Sequence, residues 1–226
     1  MTVRINKPAI NVREELASLR NQGGYQEQQF YFDSLVANGT FDADVSGWTA
    51  GNSATLTLST NALKVEYNAV ANPFAYQGIT TVIGATYVLS FEVVGLTAGE
   101  DLRVIAGVNT TDITPSTALL TAAGNYSLTF TATATTTYVK LQALVNAAGE
   151  FVTFDNISVF EVDANDDVIH TMPKGWKPKD VFEDGLLQRE GSAHDYEVVY
   201  DGFDYYVKPT VAPSATTQTC VIGVKA

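Results

Sequence analysis

The sequence predicts a mainly β protein built around one antiparallel β-sandwich, and three observations carry that prediction. Residues 35–162 break into short runs of alternating apolar and polar residues, separated by turns rich in Gly, Asn, Pro or Thr. Charged residues make up only 17% of the chain, a balance that suits solvated strands better than long surface helices. The character of the sequence also changes near both ends, which marks one medium domain with appendages. The expected order is an N-terminal attachment arm with a short helix at 1–34, the sandwich at 35–162, a linker at 163–180 and a small C-terminal β-module at 181–226.

The charge balance narrows the partners. Thirteen Lys and Arg stand against 25 Asp and Glu, a formal charge of −12, so the chain repels nucleic-acid phosphates and anionic lipid surfaces. Neither nucleic-acid binding nor membrane insertion is expected. Cys220 is the single cysteine, which rules out an internal disulfide and reads as a small buried apolar side chain. The start of the chain carries no apolar signal segment, so the expectation is a soluble protein made without a conventional export signal.

Taken in order, Asn11 caps a helix whose first turn holds Glu14 and Glu15 and whose one face carries Val12, Leu16 and Leu19. A helix of about two to three turns is marginal alone, so that face needs a partner. It either packs on its own sandwich, associates with copies of itself or docks into a larger assembly. Residues 25–34 are aromatic and amide-rich without periodicity, and are expected to be a linker whose Phe30, Tyr31 and Phe32 pack against the sandwich or a neighbouring subunit.

Within the sandwich, residues 54–58 and 62–67 read as a hairpin around Ser59-Thr60-Asn61. Strands then follow at 74–82, 86–94, 102–109, 126–131, 137–145 and 151–160. In 86–94 the alternation is plain: Tyr87, Leu89, Phe91 and Val93 face one way, Val88, Ser90 and Glu92 the other. Residues 163–167 form an acidic run that suits a domain boundary, and Met172 to Pro178 an irregular connector held by Trp176. In the C-terminal module, residues 182–188 read as strand, turn, strand. Residues 195–200 and 203–207 flank Asp201-Gly202, a strong hairpin signal because both central turn positions favour positive φ. Residues 217–224 supply a last strand. A module of about 45 residues has a small core, so it is expected to pack on the sandwich or on symmetry mates.

Three resemblances add to this. The run Arg4-Ile5-Asn6-Lys7-Pro8-Ala9-Ile10-Asn11-Val12-Arg13-Glu14-Glu15-Leu16-Ala17-Ser18-Leu19 resembles the N-terminal segment of fibre and tail proteins of tailed bacteriophages. That segment typically fixes a distal module to the particle, which implies an assembly role for Pro8, Val12, Leu16 and Leu19. The pattern from Val181 through Asp195-Tyr196 to Val211-Ala212-Pro213 is similar to a small β-module of phage tail and fibre proteins. Across 35–162, Val36-Ala37-Asn38-Gly39-Thr40-Phe41-Asp42 with Gly47-Trp48, Leu63-Lys64-Val65, Tyr87-Val88-Leu89-Ser90-Phe91, Gly124-Asn125-Tyr126-Ser127-Leu128-Thr129-Phe130 and Phe154-Asp155-Asn156-Ile157-Ser158-Val159 resemble carbohydrate-binding modules of the family four and family nine type. This resemblance implies a jelly-roll sandwich.

It also implies two sites. A structural Ca²⁺ in those modules joins the first strand to the last, and the matching donors are Asp42, the Thr40 carbonyl and Asp155. The family's further ligand has no carboxylate counterpart, since Ser59, Thr60 and Asn61 offer neutral oxygens only; the alternative is that Asp42 and Asp155 accept turn hydrogen bonds. Saccharide binding needs aromatic faces with amide or charged groups on one open sheet. Tyr138, Lys140 and Gln142 project from one face of their strand, with Tyr76 and Arg103 as companions. Against this stands the plainer possibility of edge aromatics and a solubilising lysine.

Catalysis has little support. His170 and His194 are the only histidines, with no His-x-x-x-His spacing, nucleophile elbow or phosphate loop. The expectation is therefore a non-enzymatic virion protein made in the host cytoplasm, with other virion proteins as partners of its arm, a homotrimeric state and host polysaccharide as the ligand. The rivals are a structural capsid or tail stabiliser without a ligand, and a surface sugar-binding module unconnected with phage.

Overall fold

In the computed structural model, residues 27–165, 167–191 and 195–225 are described. The arm helix with Pro8, Val12, Leu16 and Leu19, and His194, lie outside them. In chain order the strands are β1 (Glu27–Tyr31), β2 (Thr49–Gly51), β3 (Thr55–Leu58), β4 (Leu63–Glu66), β5 (Phe74–Thr80), β6 (Thr86–Leu96), β7 (Asp101–Gly107) and β8 (Gly124–Thr131). They continue with β9 (Thr136–Leu144), β10 (Phe151–Val162), β11 (His170–Thr171), β12 (Trp176–Glu183), β13 (Leu186–Leu187), β14 (Tyr196–Tyr200), β15 (Tyr205–Pro209) and β16 (Thr219–Lys225). The chain divides into two compact units, one drawn from Met1–Phe32, Thr171–Val207 and Gln218–Ala226, the other from Asp33–His170 and Lys208–Thr217.

The larger unit is a jelly-roll β-sandwich. One sheet has the order β3-β4-β10-β6-β8 and the other β2-β5-β9-β7. The inward residues of both make one core, in which Leu63, Val65, Leu89, Phe91, Leu141, Phe154 and Ile157 are closed to solvent. The β3–β4 hairpin turns on Thr60 and Asn61, both at positive φ, with the Ser59 and Ala62 backbones bonded across it, the mirror-image turn that matches strand twist. The lone early tryptophan is structural. Trp48 packs on Phe41 at 5.9 Å between ring centroids and its Nε1 donates to the Asn38 carbonyl. Gln77 staples this opening loop to β5: Oε1 accepts from Ala37 N, and Nε2 donates to the carbonyls of Ala37 and Gly47. Phe41 holds φ at 49°, a costly conformation for a bulky residue that burial of its ring offsets.

The acidic run after β10 is a built turn rather than a free boundary. Asp163 accepts from the backbone N–H of Asn165 and of Asp167, and Lys208 bridges Asp163 at 3.1 Å and Asp167 at 2.6 Å.

The smaller unit corrects several expectations. Residues 27–31, expected to be linker, form a strand antiparallel to β16, with Phe30 opposite Val221. The expected linker 163–180 contains the start of β12, whose Trp176 stands opposite Lys225 of β16. Phe30 and Phe32 join a core of Met172, Val181, Tyr196, Val207 and Val221, while Tyr31 is exposed. Phe30 meets Trp176 edge-on at 5.1 Å. The module thus gains apolar area from chain that precedes the sandwich, which is how so short a segment closes a core. Its sheet runs β1-β16-β12-β13. The β14–β15 hairpin has a wider loop than a two-residue turn: Asp201 Oδ1 accepts from the N–H of Phe203 and of Asp204, and Oδ2 from the Tyr206 hydroxyl. Cys220 is half-buried rather than fully enclosed.

Candidate functional site

The β5–β9–β7 register sets the face on which the candidate saccharide residues lie. Tyr76 stands opposite Lys140, and Lys140 opposite Ile105; Phe74 stands opposite Gln142, and Gln142 opposite Arg103. Tyr138 lies between Gly78 and Gly107. Because side chains alternate along a strand, Tyr76, Arg103, Tyr138, Lys140 and Gln142 share the face of this sheet that points away from the sandwich core. Phe74 and Ile105 share it too.

The five do not share an environment. Tyr76, Arg103 and Tyr138 are half-exposed, whereas Lys140 is 3% and Gln142 6% exposed. The segment after β7 causes the difference. Residues 115–120 pair along the free edge of β7, with Thr117 N donating to Val104 O and the backbones of Leu102 and Leu120 exchanging bonds. Residues 108–114 then fold over the sheet. Gly107 permits this approach, since a Cβ there would lie 2.5 Å from that of Asp112. Lys140 Nζ donates to the carbonyls of Thr110 and Asp112 and sits 5.1 Å from the Phe74 ring centroid. Burial, with the Arg103 charge next, holds the Lys140 ammonium below the usual lysine range. Gln142 accepts from Arg103 Nε at 2.7 Å and donates to Asn72 O.

What remains open is an aromatic platform. The Tyr76 and Tyr138 rings meet at 6.0 Å and 61°, and Phe74, buried beneath the Lys140 ammonium, backs them at 5.9 Å from Tyr76. Gly78 makes room for Tyr138, whose Cε1 would lie 3.3 Å from a Cβ there. Arg103, aligned by Gln142, supplies the cationic donor. Such a surface can stack on an apolar sugar face and donate to hydroxyls or carboxylates. Sequence reasoning missed Phe74, although it follows from the alternation Phe74, Tyr76, Gly78. The covering loop had no local signal.

Of the candidate calcium donors, Asp42 and Asp155 lie near enough for the charge of one to act on the other. Thr40 Oγ1 donates to Asp42 Oδ2 at 2.8 Å, and Asp155 Oδ1 accepts from Asn156 N. Burial, and then the charges of Glu92 and Asp42, push the Asp155 carboxyl above its usual range. A divalent cation would relieve that repulsion. Among the described residues no three His, Cys, Asp or Glu are grouped so that they could hold a metal ion, so any Ca²⁺ here would have two carboxylates at most and need neutral oxygens to complete its shell.

No protein-family model and no curated protein matches this chain. Solved structures similar to it include a CBM4 structure at 16% identity and TM-score 0.44, covering 55% of this chain and 98% of that one. The CBM22-1 xylan-binding domain of Paenibacillus barcinonensis Xyn10C aligns at 14% identity and TM-score 0.46, over 58% and 96% of the two chains. The enzymatically active domain of bacteriophage CBA120 tailspike protein 4 aligns at 15% identity and TM-score 0.42 over 57% of this chain, which spans only 21% of that one. These are likenesses without a functional assignment.

Proposed function

We propose that this chain is a structural virion protein of a tailed bacteriophage, a fibre or decoration protein whose sandwich adheres to saccharide on the host surface. The observation that carries adhesion is the half-exposed pair Tyr76 and Tyr138, backed by the buried Phe74 ring, beside an Arg103 guanidinium that Gln142 holds in place. Aromatic rings side by side on a flat sheet suit a chain of sugar rings, and one oriented guanidinium suits hydroxyl or carboxylate recognition. The N-terminal arm, with Pro8, Val12, Leu16 and Leu19, is the attachment end, where it meets other virion proteins; assembly as a homotrimer buries its apolar face. Ca²⁺ held by Asp42 and Asp155 neutralises two facing carboxylates and pins the opening loop to β10. The protein performs no catalysis.

A purely structural role has its own support: Lys140 and Gln142 bond to the chain's own loops, and are closed to any ligand. Binding of purified protein to an array of bacterial surface polysaccharides separates the two. Adhesion predicts binding that Tyr138→Ala weakens about fivefold, one stacking contact being worth about 1 kcal/mol. Binding to none of them, with antibody label spread evenly over the capsid in electron micrographs, would leave a particle stabiliser.

A further inference from the structure

The outward face of the other sheet carries a second feature. Its register places Ser158, Ser90 and Ser127 in one row across β10, β6 and β8, and Asp155, Glu92 and Asn125 in the next. Farther along, Val88, Phe160, Val162 and Val168 close over one another as a small apolar cluster, so the face is covered there. Beside the polar rows it opens into a groove of about 340 Å³ lined by Ser90, Phe91, Asn125, Tyr126, Ser127 and Asn156. Phe91 and Tyr126, stacked at 5.9 Å, turn their rings to the core and hold the β6–β8 backbone beneath it.

One side of the groove is shaped by an irregularity. The β6–β10 register slips between Asp155 and Ser158, and Asn156 takes φ of 52° in that bulge. Bulges re-aim side chains out of the pleat. Here the Asn156 amide is held by Nδ2 donating to Glu92 Oε2 at 2.8 Å, which leaves its Oδ1 as an acceptor. No described residue bonds to the side chains of Ser90, Asn125 or Ser127. The groove therefore collects hydroxyls and amides, with no lysine, arginine or carboxylate in its lining. That chemistry disfavours phosphate, sulfate and acidic sugars, and matches a neutral polyol, whose hydroxyls both donate and accept.

We propose that this groove is a second saccharide subsite, selective for neutral sugar rings, on the sheet opposite the aromatic platform. It extends the adhesion function proposed above and shares its ligand class, but uses different residues and hydrogen bonding in place of stacking. Two faces of one sandwich that each hold sugar would let a single domain bridge neighbouring glycan chains.

The test is a ¹⁵N-resolved NMR titration of the full chain with the methyl glycosides of glucose, galactose, mannose and N-acetylglucosamine. The expected result is saturable shifts at Ser90, Asn125, Ser127 and Asn156. Ser127→Trp, which fills the groove from an exposed position, and Asn156→Gly, which keeps the positive-φ backbone while removing the amide, should each weaken binding about tenfold or more. Tyr138→Ala should leave these shifts unchanged. Shifts confined to the neighbourhood of Tyr76 and Tyr138 would overturn the second subsite and leave adhesion standing. Groove shifts that survive both variants would also overturn it, and silence at both faces would remove it together with adhesion.

Discussion

The backbone N–H of Ile157 donates to the carbonyl of Gly39 at 2.9 Å, and a Cβ on Gly39 would stand 2.0 Å from the Ile157 carbonyl oxygen. The opening loop is thereby seated on the bulge of β10. Asp42, Asp155 and Asn156, the candidate calcium donors and the groove amide, all take their positions from that seat.

Gly39→Ala should accordingly be among the most damaging single substitutions in the sandwich. The obstacle is backbone, which cannot rotate aside, so the loop must lift and expose part of the Phe41 and Trp48 packing. A loss of about 3 kcal/mol or more is expected in urea unfolding. A loss under about 0.5 kcal/mol would show that the loop relaxes independently of β10.

Lys140 fixes the covering loop rather than meeting a ligand. Lys140→Met keeps the apolar stem but leaves the carbonyls of Thr110 and Asp112 without their donor. A stability loss of about 2 kcal/mol follows, with faster proteolytic cleavage inside residues 108–114. Saccharide affinity at Tyr76 and Tyr138 should be retained where the loop stays closed.

A Ca²⁺ ion at Asp155 would leave a signed signature. Its folded-state pKa lies above the usual carboxylate value, so ionisation opposes folding, and that cost grows as pH rises from the unfolded pKa through the folded one. In EDTA, Asp155→Asn should be as stable as the parent protein or more so. With Ca²⁺ the order should reverse, as the parent gains Tm and the variant does not. A parent Tm indifferent to both EDTA and Ca²⁺ would remove the metal.

His170 confers an acid sensitivity of its own. It is 3% exposed, its ring in a T-shaped contact with Phe160 at 6.3 Å, and burial lowers its pKa from 6.5 to about 4. The unfolded chain takes up the proton first, so stability is full above pH 6.5 and falls as pH drops toward 4, by about 3 kcal/mol in all. His170→Gln should flatten the stability profile between those limits. Equal profiles for parent and variant would show that His170 accepts its proton in the folded state.

Strand positions were legible because a sandwich strand has to alternate. The period of two in 86–94 and the turn residues at 59–61 are local facts that survive folding unchanged, whereas the Asp201-Gly202 signal marked the hairpin but not its wider loop. The same alternation put Tyr138, Lys140 and Gln142 on one face of their strand, and the β5–β9–β7 register sets Tyr76 and Arg103 beside them. It could not separate solvated members from buried ones, because a lysine on a strand looks alike in sequence whether water or two loop carbonyls receive its ammonium.

The amino-acid sequence alone determined the mainly β class, the sandwich between residues 35 and 162, and a charge that repels phosphate, since each rests on periodicity or composition. Only the tertiary structure decided that 27–31 and 176–180 are strands of the smaller unit, that residues 108–114 close over Lys140, and that a bulge at Asn156 opens a groove on the far sheet. All three depend on partners distant in the chain. Pairing β1 with β16, or lowering a loop carbonyl onto a lysine, is favourable only once the intervening chain has folded and brought the two ends together.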